Sequence, residues 1–320
     1  MPELPEVENL KRGLEKAILG QKVLKVSVYK PKLVSGKGTK RQASVKKVKE
    51  FQKGLQNEKI LKIDRRAKNL IFYFSNNKIL LVHLKMSGQF VYLPKRQAQI
   101  FLRDKAVNAR GTKKKLSLEP LVIGGHPIEL SEKELPNKHS HVIFELEKGT
   151  LYYNDTRMFG YLLYYPNVES FEKENHFEFL GLEPFNKNFT SEYLYQSLKN
   201  KKGKIKAVLM GQEIVTGLGN IYADESLFEA RIRPTRPASS LKLSEVSLLY
   251  KAIIRILRRA VQVGGSSVAT YRLLDETRGN YAREHKVYGK AGQNCPRCGK
   301  PLKKIIIQTR TTIFCPNCQK

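Results

Sequence analysis

The sequence predicts an α+β protein of two domains, an N-terminal β-sandwich with a flanking helix and then a helical C-terminal domain finished by a cysteine-bounded hairpin. Three observations predict it. Short runs of alternating apolar and polar residues fill the stretch from Lys22 to about Gly160. Three- and four-residue apolar spacing replaces them beyond Glu183-Pro184, and all four cysteines fall within the last 26 residues. A period of two over many short segments suits antiparallel sheets packed face to face, and a period near 3.6 suits helices. A chain of 320 residues, 41% hydrophobic, can build two cores. The domains are expected at 1–165 (sandwich), 166–187 (linker), 188–285 (helical domain) and 286–320 (finger).

The first element reads as a helix. Pro5 takes an N1-like position, and Val7, Leu10, Leu14 and Ile18 recur on one face up to Gly20. Strands are expected over Lys59–Asp64, Asn69–Phe74, Ile79–Leu84 and Val142–Leu146, with hairpin turns at Asn76-Asn77 and Lys148-Gly149. Two stretches, Ser35 to Lys53 and Lys95 to Gly125, are rich in Lys and Arg and weakly periodic, and read as basic loops or insertions. Helices follow over Ser191–Leu198, Ile205–Met210, from Asn220 onward, and over Ser244–Val263 ending at Gly264-Gly265.

The cysteines form two pairs, Cys295-Pro-Arg-Cys298 and Cys315-Pro-Asn-Cys318, sixteen residues apart. Each pair makes a knuckle that aims two sulfurs inward, so Cys295, Cys298, Cys315 and Cys318 are expected to hold one structural zinc ion. Two disulfides in a secreted module would use the same residues. The first eight positions, however, hold Glu3, Glu6 and Glu8 where an export signal needs basic and then apolar residues. Between the knuckles, Leu302, Ile305, Ile307 and Ile313 suggest strand faces, with Thr309-Arg310-Thr311 at the bend and Arg310 at the tip.

Charge then narrows the partners. Lys and Arg number 59 against 29 Asp and Glu, a formal net charge of +30. Such a field attracts polyanions, and for nucleic acid it becomes counterion release and salt-dependent affinity. No run of eighteen apolar residues exists. The chain is therefore expected to be soluble, unexported, monomeric, and cytoplasmic beside the nucleoid. A zinc-ribbon RNA binder would account for charge and cysteines but leaves the opening residues unexplained.

Those residues are Met1-Pro2-Glu3-Leu4-Pro5-Glu6. Removal of Met1 would expose Pro2 as a secondary amine, and an α-amino group titrates near pH ~8, so much of it is unprotonated and nucleophilic. Attack on an aldehyde-like sugar carbon would give an iminium ion, an electron sink that acidifies an adjacent C–H. Glu3 is tethered beside the same centre, where burial would suit it to act as an acid. Acidic residues entering the positive end of a helix are the better account of these residues taken alone.

Six ordered blocks extend the pattern: Pro2 to Glu8, Arg65 to Lys68, His83 to Gly88, Lys138 to His141, Asn154 to Gly160, and Gly217 to Glu225. With the cysteine finger they resemble the formamidopyrimidine-DNA glycosylases, within the wider superfamily that includes endonuclease VIII. The resemblance implies a β-sandwich followed by a helix-two-turns-helix domain and a zinc finger, with double-stranded DNA lying in the cleft between domains. It implies a bifunctional base-excision-repair enzyme that removes oxidised purines, 8-oxoguanine and formamidopyrimidines, and nicks the strand by β- and δ-elimination.

Carried over residue by residue, the resemblance makes Pro2 the Schiff-base nucleophile toward C1′ and Glu3 the proton donor at the deoxyribose. Lys68 supports elimination beside a phosphate, and Arg310 grips a flanking phosphate and takes part in the second elimination. Met86, Arg157 and Phe159 match the trio that enters the duplex when the damaged nucleotide is extruded. Asn220 matches a phosphate ligand whose helix start leaves amides free for an anion. His139 and Lys201 match weaker DNA contacts. The segment Ser266 to Val287, with Tyr271 and Tyr281, falls where the family has a flexible loop over the extruded base. Lys85 stands in place of the usual glycine before Met86, Ser140 in place of an aspartate, and Met158 in place of a second basic residue. Two alternatives stay open, a non-catalytic damaged-DNA-binding protein and an endonuclease VIII-like preference for oxidised pyrimidines.

Overall fold

The structure, a computed structural model, describes residues 1–38, 41–95, 135–266 and 280–320, and the backbone of 121–125. The described residues form two compact units, the first of residues 1–2 and 6–176, the second of residues 3–5, 177–266 and 280–320. The α+β expectation holds.

In the first unit, α1 (Leu4–Ile18, of which residues 6–18 belong here) lays Val7, Leu10, Leu14 and Ile18 into the core. Two antiparallel sheets follow. One has the order β1-β7-β8-β5-β6, from Val23–Val28, Ser140–Leu146, Gly149–Asp155, Gly88–Pro94 and Leu121–Gly125. The other has the order β2-β3-β4-β9, from Ile60–Arg66, Asn69–Phe74, Ile79–His83 and Tyr161–Tyr165. Alternate residues of both sheets share one core, in which the Phe72 ring meets Phe90 edge-on at 6.0 Å. Asn76 and Asn77 both adopt positive φ (56° and 57°), the backbone that a tight turn between twisted strands requires.

Two expectations for this unit need correction. The stretch from Ser35 to Lys53 is not simply a loop, because α2 spans Val45–Leu55. The Ser44 hydroxyl caps it by accepting from the Lys47 amide at 3.3 Å, and Phe51 and Leu55 are buried in the sandwich core with Val48 against them. Lysines at 46, 47, 49 and 53 dilute that apolar stripe, which hides its period in the sequence. The stretch from Lys95 to Gly125 is not irregular throughout either, since Leu121–Gly125 pairs with β5 as an edge strand; residues 96–120 lie outside the described residues.

The second unit packs α4 (Ser191–Leu198), α5 (Ile205–Met210), α6 (Asn220–Glu229) and α7 (Leu243–Gln262) around one core, after the short α3 (Val168–Lys173) of the first unit. Thr190 caps α4 through the Tyr193 amide at 3.1 Å. Helix α7 ends where Gly264 and Gly265 take φ of 85° and 87°. The short α8 (Tyr281–Glu284) buries Tyr281 in this core, its ring 5.6 Å from that of Tyr222. Tyr281 is thus a core residue and not part of an open loop; Tyr271, with the rest of 267–279, lies outside the described residues. Strands β10 (Lys303–Ile307) and β11 (Arg310–Phe314) form the terminal hairpin. Its bend is Gln308-Thr309, both at positive φ (45° and 61°), so Arg310 is the first residue of the returning strand and not the tip.

Candidate active site and nucleic-acid interface

In the second unit the chemistry gathers on α6. Its residues from Tyr222 to Phe228 are all buried, so polar side chains among them must find partners inside the protein. Glu3, 3% exposed, brings its carboxylate to the start of this helix. It accepts from the amides of Gly219 (2.7 Å), Ile221 (2.9 Å) and Tyr222 (3.4 Å). The positive end of the helix dipole and these donors hold the carboxylate in one place. Two glycines make room. A Cβ on Gly219 would lie 2.4 Å from the Glu3 side chain, and one on Gly217, which has φ +85°, would lie 2.5 Å from Leu4. The Leu4 amide donates to the Gly217 carbonyl at 3.0 Å, fixing the backbone beside Pro2.

The expectation that this helix start offers free amides to a phosphate is corrected here, because Glu3 occupies them. Asn220 points its own amide at the Thr311 carbonyl (3.0 Å), and its Oδ1 is buried with no hydrogen-bond partner. Arg310, next to Thr311, is exposed. The backbone of β11 is held from below by a fully buried ion pair, Lys206 Nζ to Asp224 at 2.7 Å. Lys206 also donates to the Thr312 hydroxyl (2.8 Å) and the Thr311 carbonyl (3.2 Å), and Asp224 accepts from the Ile313 amide at 3.1 Å. Burial pushes the Asp224 carboxyl up to about 6 and the Lys206 amine down, against the attraction of each for the other. Glu225 accepts from the amides of Lys286, Val287 and Tyr288 at 2.8–2.9 Å. Sequence reasoning missed Tyr288. Burial raises its hydroxyl pKa, and Glu3 and Arg310 act on it electrostatically, while its amide is held by Glu225, so it joins this cluster. Its amide bond to Glu225, 63 residues away, places it here, which no local spacing reveals.

The cysteines come together as expected. The sulfurs of Cys295, Cys298, Cys315 and Cys318 lie within 4.8 Å of one another, with Cys298–Cys315 at 3.5 Å and Cys295–Cys318 at 3.9 Å. A tetrahedral ion with sulfurs at ~2.3 Å separates them by about 3.8 Å, so the donor set and its size fit a metal ion. Amides of Arg297 and Cys318 donate to the sulfurs of Cys295 and Cys315, as thiolate ligands require. Lys201 is instead paired with Glu213 at 2.9 Å on the surface.

In the first unit, Lys68 sits in the turn between β2 and β3, beside Ala67 at φ 54°, and is 6% exposed, so it is no ordinary surface lysine. Burial and the charges of Lys85, Lys68 and Lys37 push the neighbouring His83 imidazole down to about 3. Met86, on the turn between β4 and β5, is reached by the Arg157 guanidinium (Nη1 to Sδ 3.7 Å), and Phe159 stands 46% exposed two residues on. The structure thus brings Met86 and Arg157 together. His139 lies apart from them in sequence and serves through its carbonyl, which accepts from the Asp155 amide at 3.1 Å.

Three domain families match this chain. The Formamidopyrimidine-DNA glycosylase N-terminal domain covers residues 1–162, the Formamidopyrimidine-DNA glycosylase H2TH domain residues 180–272, and the zinc finger found in FPG and IleRS residues 292–320. The chain belongs to the formamidopyrimidine-DNA glycosylase family. Among its relatives, the formamidopyrimidine-DNA glycosylase of Carboxydothermus hydrogenoformans is 36% identical over 320 residues, covering 100% of both chains. That of Streptococcus pneumoniae is 34% identical over 100% of this chain and 99% of its own. Of solved structures, a complex between Lactococcus lactis Fpg and DNA containing an abasic site aligns with a TM-score of 0.78 at 32% identity over 99% of each chain. A Lactococcus lactis FPG mutant bound to Fapy-dG DNA gives 0.79 at 32% over 100% of each. As members of this family are DNA glycosylases, so is this chain.

The departures from the family pattern have a visible cost or use. Lys85 adopts φ 51°, a left-handed backbone that suits the family's glycine and strains a lysine. Its amine lies 5.8 Å from the centre of the Tyr161 ring. Ser140 donates to Asn154 Oδ1 at 2.7 Å and accepts from the Asn137 amide at 3.0 Å. Met158 also takes a positive φ, 54°, and is exposed. Among the described residues, no helix is long and apolar enough to cross a membrane.

Proposed function

We propose that this glycosylase excises oxidised purines, 8-oxoguanine and formamidopyrimidines, from duplex DNA and then cleaves the abasic strand. Solved relatives bound to abasic-site and Fapy-dG DNA support that substrate class. The observation that carries the chemistry is the Glu3 carboxylate, seated on three amides of the α6 start and one residue from Pro2. With Met1 removed, the Pro2 nitrogen bonds to C1′ as the bond from C1′ to the damaged base breaks, and the base leaves with the electron pair and takes the proton that the Pro2 nitrogen gives up. Glu3, protonated for this step, gives its proton to the ring oxygen and is left as the carboxylate, and the sugar opens to an iminium. Loss of a C2′ proton expels the 3′ phosphate, and loss of a C4′ proton expels the 5′ phosphate.

Lys68 and Arg310 hold the phosphates on either side, and Asn220 serves as a phosphate ligand through its side chain. His139 and Lys201 add weaker contacts. Met86, Arg157 and Phe159 enter the stack, offsetting part of the few kcal/mol that unstacking costs. Zinc, held by the four cysteines, closes the finger and carries out no step.

Borohydride trapping tests the reading. Wild-type protein should form a covalent adduct with an 8-oxoguanine duplex, and protein acylated at the Pro2 nitrogen should lose at least about 1,000-fold of it, as expected when a nucleophile is removed. Binding without any adduct or nick at high protein excess would leave only a damaged-DNA-binding protein. A panel with single oxidised pyrimidines separates the endonuclease VIII-like preference.

A further inference from the structure

Residues 156–160 join β8 to β9 and carry Arg157 and Phe159. Their backbone is held by two groups of opposite charge, one fully buried and the other partly buried. The Asp155 carboxylate, fully buried, accepts from the amides of Arg157 (3.2 Å), Met158 (3.0 Å) and Gly160 (2.8 Å). The Ser87 hydroxyl, from the turn that carries Met86, donates to the same carboxylate and accepts from the Arg157 amide at 3.1 Å. The carbonyls of the loop go to the other charge. Arg41 Nη2 donates to those of Met158 and Gly160, both at 2.7 Å. The amides of this reversal are thus satisfied by a carboxylate and its carbonyls by a guanidinium.

Arg41 is an odd choice for filling space. Its Nε is buried with no hydrogen-bond partner, so the side chain bears a desolvation cost that an apolar residue of similar shape would avoid. Burial lowers its pKa, and its charge helps lower that of Lys85, another desolvated cation. What the guanidinium gains is the two main-chain carbonyls, 117 and 119 residues away in sequence. The loop holding those carbonyls contains a positive φ at Met158, a conformation that must be imposed from outside.

We propose that Arg41 is a positioning residue for the duplex-entering loop: paired with Asp155 across residues 156–160, it fixes the backbone that presents Arg157 and Phe159 before DNA arrives. This rests on the reading of those two residues as duplex-entering. Pre-organisation of this kind removes an ordering cost that would otherwise fall on the binding step. Arg41 acts through the loop and touches no DNA.

Arg41→Met removes the donors and keeps an apolar stem; Arg41→Lys keeps a charge able to donate to both carbonyls and guards against a variant that merely misfolds. In the free protein, amide hydrogen exchange over 156–160 should rise at least about tenfold in Arg41→Met and return most of the way in Arg41→Lys. Excision of 8-oxoguanine from a duplex should fall about tenfold in Arg41→Met, whereas borohydride trapping on a single-stranded abasic oligonucleotide, which has no stack to enter, should stay within about twofold. The slope of log affinity against log salt should not change. Unaltered exchange overturns the proposal, as does an equal loss on the single strand. A slope smaller by about 0.9 also overturns it, since Arg41 would then be a phosphate contact. Were wild-type protein to trap neither substrate, the proposed function would fail while the exchange measurement still judged the hold of Arg41 on the loop.

Discussion

The two units hold their candidate residues in opposite ways. In the second, the functional side chain is itself immobilised: Glu3 is buried on three amides, and the strand behind Arg310 rests on the Lys206–Asp224 pair. In the first, the side chains of Arg157 and Phe159 are exposed while only their backbone is pinned, by Asp155 and Arg41. The difference matches the two kinds of task proposed for them, proton donor and wedge. A proton donor must meet one atom at one distance, so the protein spends buried charge on the group itself. A wedge must yield to stacked bases, so rigidity belongs to the loop and freedom to the side chain.

Breaking the buried pair should have the largest effect. Lys206→Met leaves the buried Asp224 carboxyl without its cation under β11, and should cost about 3–5 kcal/mol in denaturant unfolding. The same experiment in a double variant, Lys206→Met with Asp224→Leu, should recover much of that loss. A single-variant cost below about 1 kcal/mol would mean that the hairpin does not depend on the pair.

A smaller effect should come from the first unit and fall on activity instead. Phe159→Ala removes an exposed ring, so stability should move by no more than about 0.5 kcal/mol. Excision from a duplex should nonetheless fall about tenfold, worth ~1.4 kcal/mol of unstacking offset. A stability loss matching the activity loss would erase the contrast between the units.

An effect that is smallest near neutral pH and grows as pH falls separates the two. His83 in the first unit is pushed down to about 3 and His285 in the second to about 4, both chiefly by burial. Each is protonated in the unfolded chain below its ordinary pKa of ~6.5 while remaining neutral when folded, so each contributes stability at neutral pH that is lost as pH falls. Thermal unfolding of His83→Gln and His285→Gln should therefore show a shallower decline below about pH 6.5. The contribution of His285 should be exhausted near pH 4, and that of His83 should continue to about pH 3. Identical curves for the two variants and wild type would show that neither burial is felt.

Much of this was legible in the sequence because the signals were local. The paired cysteines, the strand alternation and the apolar faces of α4, α5 and α7 each depend on residues a few positions apart. The candidate residues were legible by resemblance, since the motifs containing Pro2, Glu3 and Met86 are contiguous. What stayed hidden depends on partners far along the chain. Arg41 looks like one more charge in a basic stretch, and its carbonyl acceptors leave no mark on side-chain identity. Lys206 lies on a helix read with the right bounds, yet nothing local says that its amine is buried against Asp224. Asn220 misled for the same reason: the free amides it was expected to advertise are taken by Glu3, 217 positions earlier than Asn220.

Helix α6 has only ten residues, yet both extremities of the polypeptide fasten to it, Glu3 at its first turn and the strand of Ile313 at its middle. Assembly of this unit must therefore wait for segments more than two hundred residues apart to meet, a closure that slows folding and ties it into one cooperative event. Limited digestion that clips off the first five residues and digestion that strips the last strands would consequently unravel the same short rod, from opposite directions.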